Sequence, residues 1–206
     1  IQDQESEITK KYLLLGSQKE ISVYHIDLYK EAIALLEKMG DLFFLGVAVT
    51  NLGEQAYSLK QISEAEKYFL QAKQIFEKLQ DIYSLTKIMN LLGMLAYSKK
   101  EYALAFSHYE KSLKILRTIE NPYTMAFVLK NLGILEKEQC NYDSSKKYFK
   151  ESLQIYTDLM DRNNQASILG NLGVIAYWQK EYSKAVQYLE QSSQLARFLE
   201  KENDLV

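Results

Sequence analysis

The sequence predicts an all-α protein, a stack of antiparallel helical hairpins, and three observations carry that prediction. Glycine recurs at Gly53, Gly93, Gly133 and Gly173, forty residues apart, inside a repeated phrase: Asn51-Leu52-Gly53, Leu91-Leu92-Gly93, Asn131-Leu132-Gly133 and Asn171-Leu172-Gly173. A fixed period of this size marks stacked copies of one supersecondary unit. The chain has a single proline, Pro122, and only eight glycines, which favours long helices over strands and turns. Its 206 residues, 47% hydrophobic and 25% charged, are ordinary for a folded chain and accommodate about five hairpins of this length.

Each unit opens on a capping residue. Asp41, Asp81, Asn121 and Asp161 keep the forty-residue spacing and precede apolar-periodic segments. Asp and Asn at an N-cap accept hydrogen bonds from the free N–H groups of the first turn. Pro122 after Asn121 fits the first helical position. These starts predict first helices over 42–59, 82–99, 122–139 and 162–179. A second set of starts at Ser63, Ala103, Asp143 and Ser183, with Ser63 and Glu66 read as a capping box, predicts second helices over 64–79, 104–119, 144–159 and 184–200. Residues 22–39 match a second helix, because Ala32, Leu35, Leu36 and Asp41 stand forty residues before Ala72, Ile75, Phe76 and Asp81. Residues 5–18 are expected to form a first helix, degenerate because Leu13 stands at the glycine position and His25 at an alanine position. The units are therefore 1–40 (degenerate), 41–80, 81–120, 121–160 and 161–200, with a tail over 201–206. No linker or low-complexity segment divides them, so 1–206 reads as one domain.

Small and large positions interlock within each hairpin. Ala65, Ala105, Ser145 and Ala185 form one small row, and Ala72, Ser112, Ser152 and Ser192 another. Facing helices about 8–10 Å apart need small residues where the backbones come closest. A mid-helix glycine costs about 1 kcal/mol against alanine, so four in register imply a close contact that offsets the cost. Phe69, Tyr109, Phe149 and Leu189, with Ile75, Ile115, Ile155 and Leu195, fill the remaining space.

This pattern resembles the tetratricopeptide repeat family over residues 42–200, and more weakly over 1–41. Leu-Gly is followed by Ala-Tyr (Ala56-Tyr57, Ala96-Tyr97, Ala176-Tyr177) and then Tyr-x-x-Ala (Tyr102 to Ala105, Tyr182 to Ala185). The chain departs from the family in three ways. Its period is forty rather than the usual 34 residues, Lys60, Lys100, Cys140 and Lys180 replace the inter-helix glycine, and the closing proline is missing. The third unit strays most, with Lys137 at the tyrosine position and Ser145 at the alanine position. Repeats of this length resemble those of kinesin light chains, spindle adaptors and bacterial peptide sensors. The resemblance implies a right-handed superhelix (α-solenoid) that binds proteins or peptides.

It also implies that the first helices line the concave groove. On that basis the groove presents Asn51, Leu91, Asn131 and Asn171 in one row, beside Asn90, Lys130 and, one turn earlier, Lys87. Met94, Ile134 and Val174 follow, then Tyr57, Tyr97, Lys137 and Tyr177 with Trp178. An asparagine side chain offers an acceptor and two N–H donors. Asn51, Asn131 and Asn171 are therefore expected to hold a peptide main chain, while Met94, Ile134, Val174 and Trp178 contact its side chains. The competing reading is that the asparagines bond neighbouring helices and stabilise the stack. A carboxylate clamp is disfavoured, because Leu91 and Ile134 stand where its asparagines would be.

Other chemistry finds little support in the sequence. Net charge is −2 with mixed signs, so nucleic acid and anionic membrane are not expected partners. No apolar run approaches the roughly 18 residues of a membrane helix. His25 and His108 are the only imidazoles and fit no metal-ligand spacing. Neither a metal nor a cofactor is expected, and no nucleophile–base set is apparent, so the chain is read as no enzyme. The single cysteine, Cys140, fits a reducing, cytoplasmic setting. The start at Ile1 reads as a fragment, leaving open a sensor segment of a larger signalling or transcription protein. The last unit lacks a polar capping helix, so its exposed end near Leu189, Leu195 and Leu199 is a candidate homodimer contact, unless the chain stops short of its cap.

Overall fold

The computed structural model describes residues 23–203, which form α-helices joined by short turns. The expected helix over 5–18 lies outside the described residues. The elements are α1 (Val23–Met39), α2 (Leu42–Ser58), α3 (Ile62–Leu79), α4 (Ile82–Ser98), α5 (Tyr102–Leu116), α6 (Pro122–Glu138), α7 (Tyr142–Asp158), α8 (Arg162–Trp178) and α9 (Tyr182–Asn203). The chain divides into two compact units, Ile1–Lys99 and Lys100–Val206.

The first helices begin where the capping residues place them. Asp41, Asp81, Asn121 and Asp161 accept from the N–H of Phe44, Ser84, Thr124 and Asn164 at 3.1, 3.2, 3.1 and 3.0 Å. The second helices start two residues earlier than expected, at Ile62, Tyr102, Tyr142 and Tyr182. Ser63 therefore sits inside α3 and is no N-cap, and no side chain caps α3, α5 or α7. The turn explains the shift. Lys60 N–H donates to Tyr57 O and Gln61 N–H to Ala56 O, both at 2.9 Å. This paired pattern closes a helix with its penultimate residue left-handed. Gln61 O then accepts from Ala65 N–H at once, so one residue ends α2 and starts α3. Cys140–Asn141 and Lys180–Glu181 repeat the arrangement.

Left-handed backbone falls at Lys60, Lys100, Cys140 and Lys180, with φ between 61° and 63°, where the family glycine is replaced. Turns after second helices use Gly40, Gln80 and Met160 in the same way. The α5–α6 turn differs. Helix α5 stops at Leu116, three residues short of expectation, and Asn121 adopts φ −138°. Pro122 excludes helical backbone from the residue before it.

Within the first unit, Phe69 and Phe76 of α3 belong to one core with Ala48, Val49 and Ala56 of α2 and Ile88, Leu92 and Leu95 of α4. In the second unit Phe149 and Tyr156 of α7 pack with Ala126 of α6 and Ile168, Leu172 and Ile175 of α8. Within its own unit α3 is thus held between α2 and α4, and α7 between α6 and α8. Consecutive first helices also touch, α2 with α4 and α6 with α8. No comparable approach joins α1 with α3, α5 with α7, or α7 with α9.

The recurring glycine makes this packing possible. A Cβ built on Gly53 would lie 2.7 Å from the Phe69 ring, on Gly133 2.6 Å from Phe149 Cδ1, and on Gly173 2.7 Å from Leu189 Cγ. The serines of the small rows add hydrogen bonds across the hairpins. Ser145 Oγ donates to Gly133 O and Ser152 Oγ to Ala126 O, both at 2.6 Å, and Ser192 Oγ to Ala166 O at 2.8 Å.

Two alanine substitutions separate packing from propensity. Gly133→Ala gains about 1 kcal/mol of helix propensity but drives a methyl into Phe149, which is 0% exposed and cannot retreat. Overpacking costs roughly 1–3 kcal/mol, so denaturant unfolding should show a net loss. Gly170→Ala meets only Ser192 Oγ at 3.5 Å, an ordinary contact, and should stabilise by up to about 1 kcal/mol. Equal effects at the two positions would refute the close-contact account.

Candidate functional site

In the first unit the expected groove residues come from α2 and α4. Asn51 is half-buried and its side chain hydrogen-bonds the Tyr29 hydroxyl of α1. Burial raises the Tyr29 hydroxyl above the ordinary tyrosine range, the Asn51 bond opposes this, and the Glu54 charge adds to it. Lys87 reaches back to Glu54 at 2.7 Å. Tyr57, half-buried, directs its hydroxyl to Met94 O at 3.5 Å. Met94 and Tyr97 are also half-buried. Asn90 departs from the expected surface row. It is 5% exposed, with Nδ2 placed 3.8 Å from Met94 Sδ. Thr50, its counterpart in the preceding repeat, is 3% exposed, so this register position lies beneath the surface in both.

In the second unit the site is built by α6 and α8. Lys130 Nζ donates to Asn164 Oδ1 and Lys137 Nζ to Asn171 Oδ1, each at 2.7 Å. Asn171 Nδ2 donates to Ser167 O at 2.9 Å. The Lys130 ammonium also lies 4.7 Å from the centre of the Phe127 ring. Asn131, Ile134 and Val174 are half-buried on the same pair of helices. Trp178 and Tyr177 are about half and 60% exposed at the end of α8. Trp178 stands against Tyr142 at 5.7 Å, and Tyr177 against Tyr182 at 5.8 Å.

The structure joins Lys137 to Asn171, which the sequence sets in different rows, and adds two residues that sequence reasoning missed, Tyr29 and Asn164. The signal for Asn164 was available. Polar bridges across neighbouring repeats recur at a separation of 33 or 34 residues: Glu54–Lys87, Glu66–Lys99, Lys130–Asn164, Lys137–Asn171 and Lys146–Gln179. That is the forty-residue period less about two helical turns, the offset between adjacent inclined helices.

These bridges leave bonding capacity on the surface. Asn171 uses one acceptor site on Lys137 and one N–H on Ser167, which leaves one acceptor site and one N–H. The arrangement can take up a peptide group and an apolar side chain together. It presents cations at Lys130 and Lys137.

Burial lowers the Lys130 ammonium below the ordinary value of 10.5, with the Asp161 charge partly opposing the shift. Between the folded and unfolded values the unfolded chain binds more protons, so this residue's contribution to stability rises with pH across that alkaline window. Titration of the Lys130 side-chain carbons by NMR should give a midpoint below the ordinary lysine value of 10.5. A midpoint at or above that value would refute the burial argument.

The family model described as tetratricopeptide repeat matches residues 45–118 and 123–197. No curated protein matches the chain. Among solved structures it is similar to aspartyl phosphate phosphatase F from Bacillus subtilis, at 20% identity and TM-score 0.78, over 96% of this chain and 49% of that one. It is also similar to a Rap protein complexed with competence and sporulation factor, at 22% identity and TM-score 0.77, over 86% and 50% of the two chains. A third likeness is to a signal transduction ATPase with a tetratricopeptide repeat sensor from Pyrococcus horikoshii, at 24% identity and TM-score 0.71, over 86% and 28%. The chain spans half or less of each of these relatives, and at such identities the likeness concerns the fold alone.

Proposed function

Because the chain belongs to the tetratricopeptide repeat family, we propose that it is a non-catalytic scaffold that binds a protein or peptide along its first helices. The observation that carries this reading is the α6–α8 pair. Two neighbouring first helices are tied by Lys130–Asn164 and Lys137–Asn171, while no equally close approach joins the second helices on either side. Within the second unit the first-helix layer is the more closely tied one, which supports it as the ligand-facing layer. Its polar groups are held in place before any ligand arrives, which lowers the entropy cost of binding. Asn131 and the remaining capacity of Asn171 take the ligand backbone. Ile134, Val174 and Trp178 take its side chains. Asn51, Lys87, Met94, Tyr57 and Tyr97 offer a comparable surface in the first unit. Asn90 is left out of the contact set because it is buried.

A second reading makes the chain a sensor segment of a larger signalling protein in a reducing, cytoplasmic setting. It is supported by the likeness to the Pyrococcus horikoshii signal transduction ATPase, which carries a tetratricopeptide repeat sensor. A regulatory domain flanking this segment in the full-length polypeptide would favour it over a free adaptor.

The outer face of α9 is a further candidate surface. Leu189 is 45% exposed, whereas Phe69 and Phe149 at the same register are 1% and 0% exposed. Val186 and Tyr182 beside it are also exposed. This face is proposed to pair with a second copy of the chain.

Affinity capture from native lysate, run with wild type and an Asn131→Ala/Asn171→Ala variant in parallel, tests the groove. The expected result is a captured partner whose binding falls roughly tenfold or more in the variant while the melting temperature stays put. Retained binding would sink the groove assignment, and a lower melting temperature with retained binding would make the asparagines structural. For the terminal face, sedimentation should show self-association that Val186→Glu abolishes. A monomeric wild type at high concentration would remove that contact.

A further inference from the structure

A second polar surface lies away from the first helices, where α5 and α7 stand apart. The cleft between them has a volume of about 600 Å³ and is walled by Lys111 and Lys114 of α5 with Arg117, which caps its end, and by Lys147, Tyr148 and Glu151 of α7, with Leu113 also lining it. Its four cations face two carboxylates, since Glu110 also reaches it. One of those carboxylates is already engaged, because Arg117 Nη2 donates to Glu151 Oε1 and Oε2 at 3.1 and 3.3 Å. Lys111, Lys114 and Lys147 are exposed and form no ion pair with a described residue. Lys111 and Lys114 are three apart, hence on one helix face, and Lys147 stands across from them.

This charge is not a general property of the second-helix surface. The next cleft of the same unit, about 480 Å³, is walled by neutral side chains such as Thr157, Gln191, Gln194 and Leu195. Its one cation, Arg162, lies over the Phe198 ring at 4.3 Å. The positive cleft also stands out against a chain whose net charge is −2. Like charges gathered without partners repel one another, and a bound anion relieves that repulsion while steering encounter.

We propose that the α5–α7 cleft is a separate docking site for an acidic peptide segment, one with carboxylates spaced to reach Lys111 or Lys114 on one wall and Lys147 on the other. Tyr148, half-buried between them, gives the peptide an apolar ring to lie against. A peptide fits better than nucleic acid because Glu110 and Glu151 stand in the walls, where a continuous line of phosphates would meet them. The Arg117–Glu151 pair acts as an internal competitor, since a ligand carboxylate can exchange with Glu151 on the guanidinium.

The test is fluorescence anisotropy on the full chain with a labelled peptide of alternating glutamate and alanine. The expected result is saturable binding that weakens with added salt. Lys111→Glu with Lys147→Glu should weaken it roughly tenfold or more. Glu151→Gln should strengthen it about threefold, because it removes the competitor. Asn131→Ala/Asn171→Ala should leave it unchanged, which separates this site from the first-helix surface. Circular dichroism establishes that each variant is folded. No saturable binding by wild type, an unchanged affinity in the lysine variant, or weaker binding in Glu151→Gln would each overturn the proposal. Displacement of the peptide by an oligonucleotide of equal charge at lower concentration would overturn the choice of ligand.

Discussion

The approach of a bare helix backbone to a bulky side chain governs this structure. At Gly53, Gly133 and Gly173 the facing helix lays Phe69, Phe149 or Leu189 into the space a methyl would occupy. Glycine lowers intrinsic helix stability by about 1 kcal/mol at each site, but it lets a large ring become wholly buried, worth roughly 1.5–3 kcal/mol. Phe149, 0% exposed, belongs to the core that reaches α8, so the hairpin contact and the stacking contact share one side chain. Tightness inside a repeat therefore sets the geometry between repeats. The same closeness lets Ser145 and Ser152 reach carbonyls on α6.

The turns impose the second constraint. Each hairpin is closed by a left-handed residue followed by one that also starts the next helix. Lysine or cysteine in that backbone costs about 1–2 kcal/mol, a cost the family glycine avoids. The core must over-determine the turn for these residues to hold it. Tyr156 is a smaller conflict of the same kind. It occupies the position of Phe76 and Leu116, is 0% exposed, and its hydroxyl has no hydrogen-bond partner among the described residues. Burial, reinforced by the Tyr123 and Asp161 charges, pushes that hydroxyl well above the ordinary tyrosine range. The ring contributes packing that the orphan oxygen partly offsets, since an unpaired buried hydroxyl costs about 1–3 kcal/mol.

Much of this was legible in the sequence, for reasons that particular residues make plain. Asp41, Asp81, Asn121 and Asp161 act through atoms three residues away, so a local pattern sufficed to place the first helices. The glycine register implied a close contact, and the contact is there. The second helices were misplaced by two residues because their starts depend on backbone hydrogen bonds from Lys60 and Gln61, not on a side chain that a pattern can flag. The resemblance sets Asn90 beside the asparagine row of the groove, yet its register position is buried at Thr50 as well. The tie between Asn51 and Tyr29 depends on how one repeat leans on the next, which no single repeat encodes. The gathering of Lys111, Lys114 and Lys147 was hidden similarly, because nearby acids balance these lysines along the chain but not across the α5–α7 gap.

The polar bridges between repeats connect the two constraints. Because they join residues 33 or 34 apart, each reports the offset between neighbouring helices, and a small rotation of α8 against α6 would lengthen Lys137–Asn171 before it disturbed Phe149. The apolar core resists such a rotation steeply, since close-packed interiors lose contact energy over fractions of an ångström. The bridges alone are weak, as half-exposed polar pairs contribute about 0–1 kcal/mol. Packing therefore fixes where Asn171 and Lys137 stand, and the bridge selects their rotamers. A surface organised this way keeps its polar groups oriented at little cost while retaining donors and acceptors for a ligand. The glycine-tight core thus settles the geometry of the first-helix face, and the proposed recognition depends on that geometry.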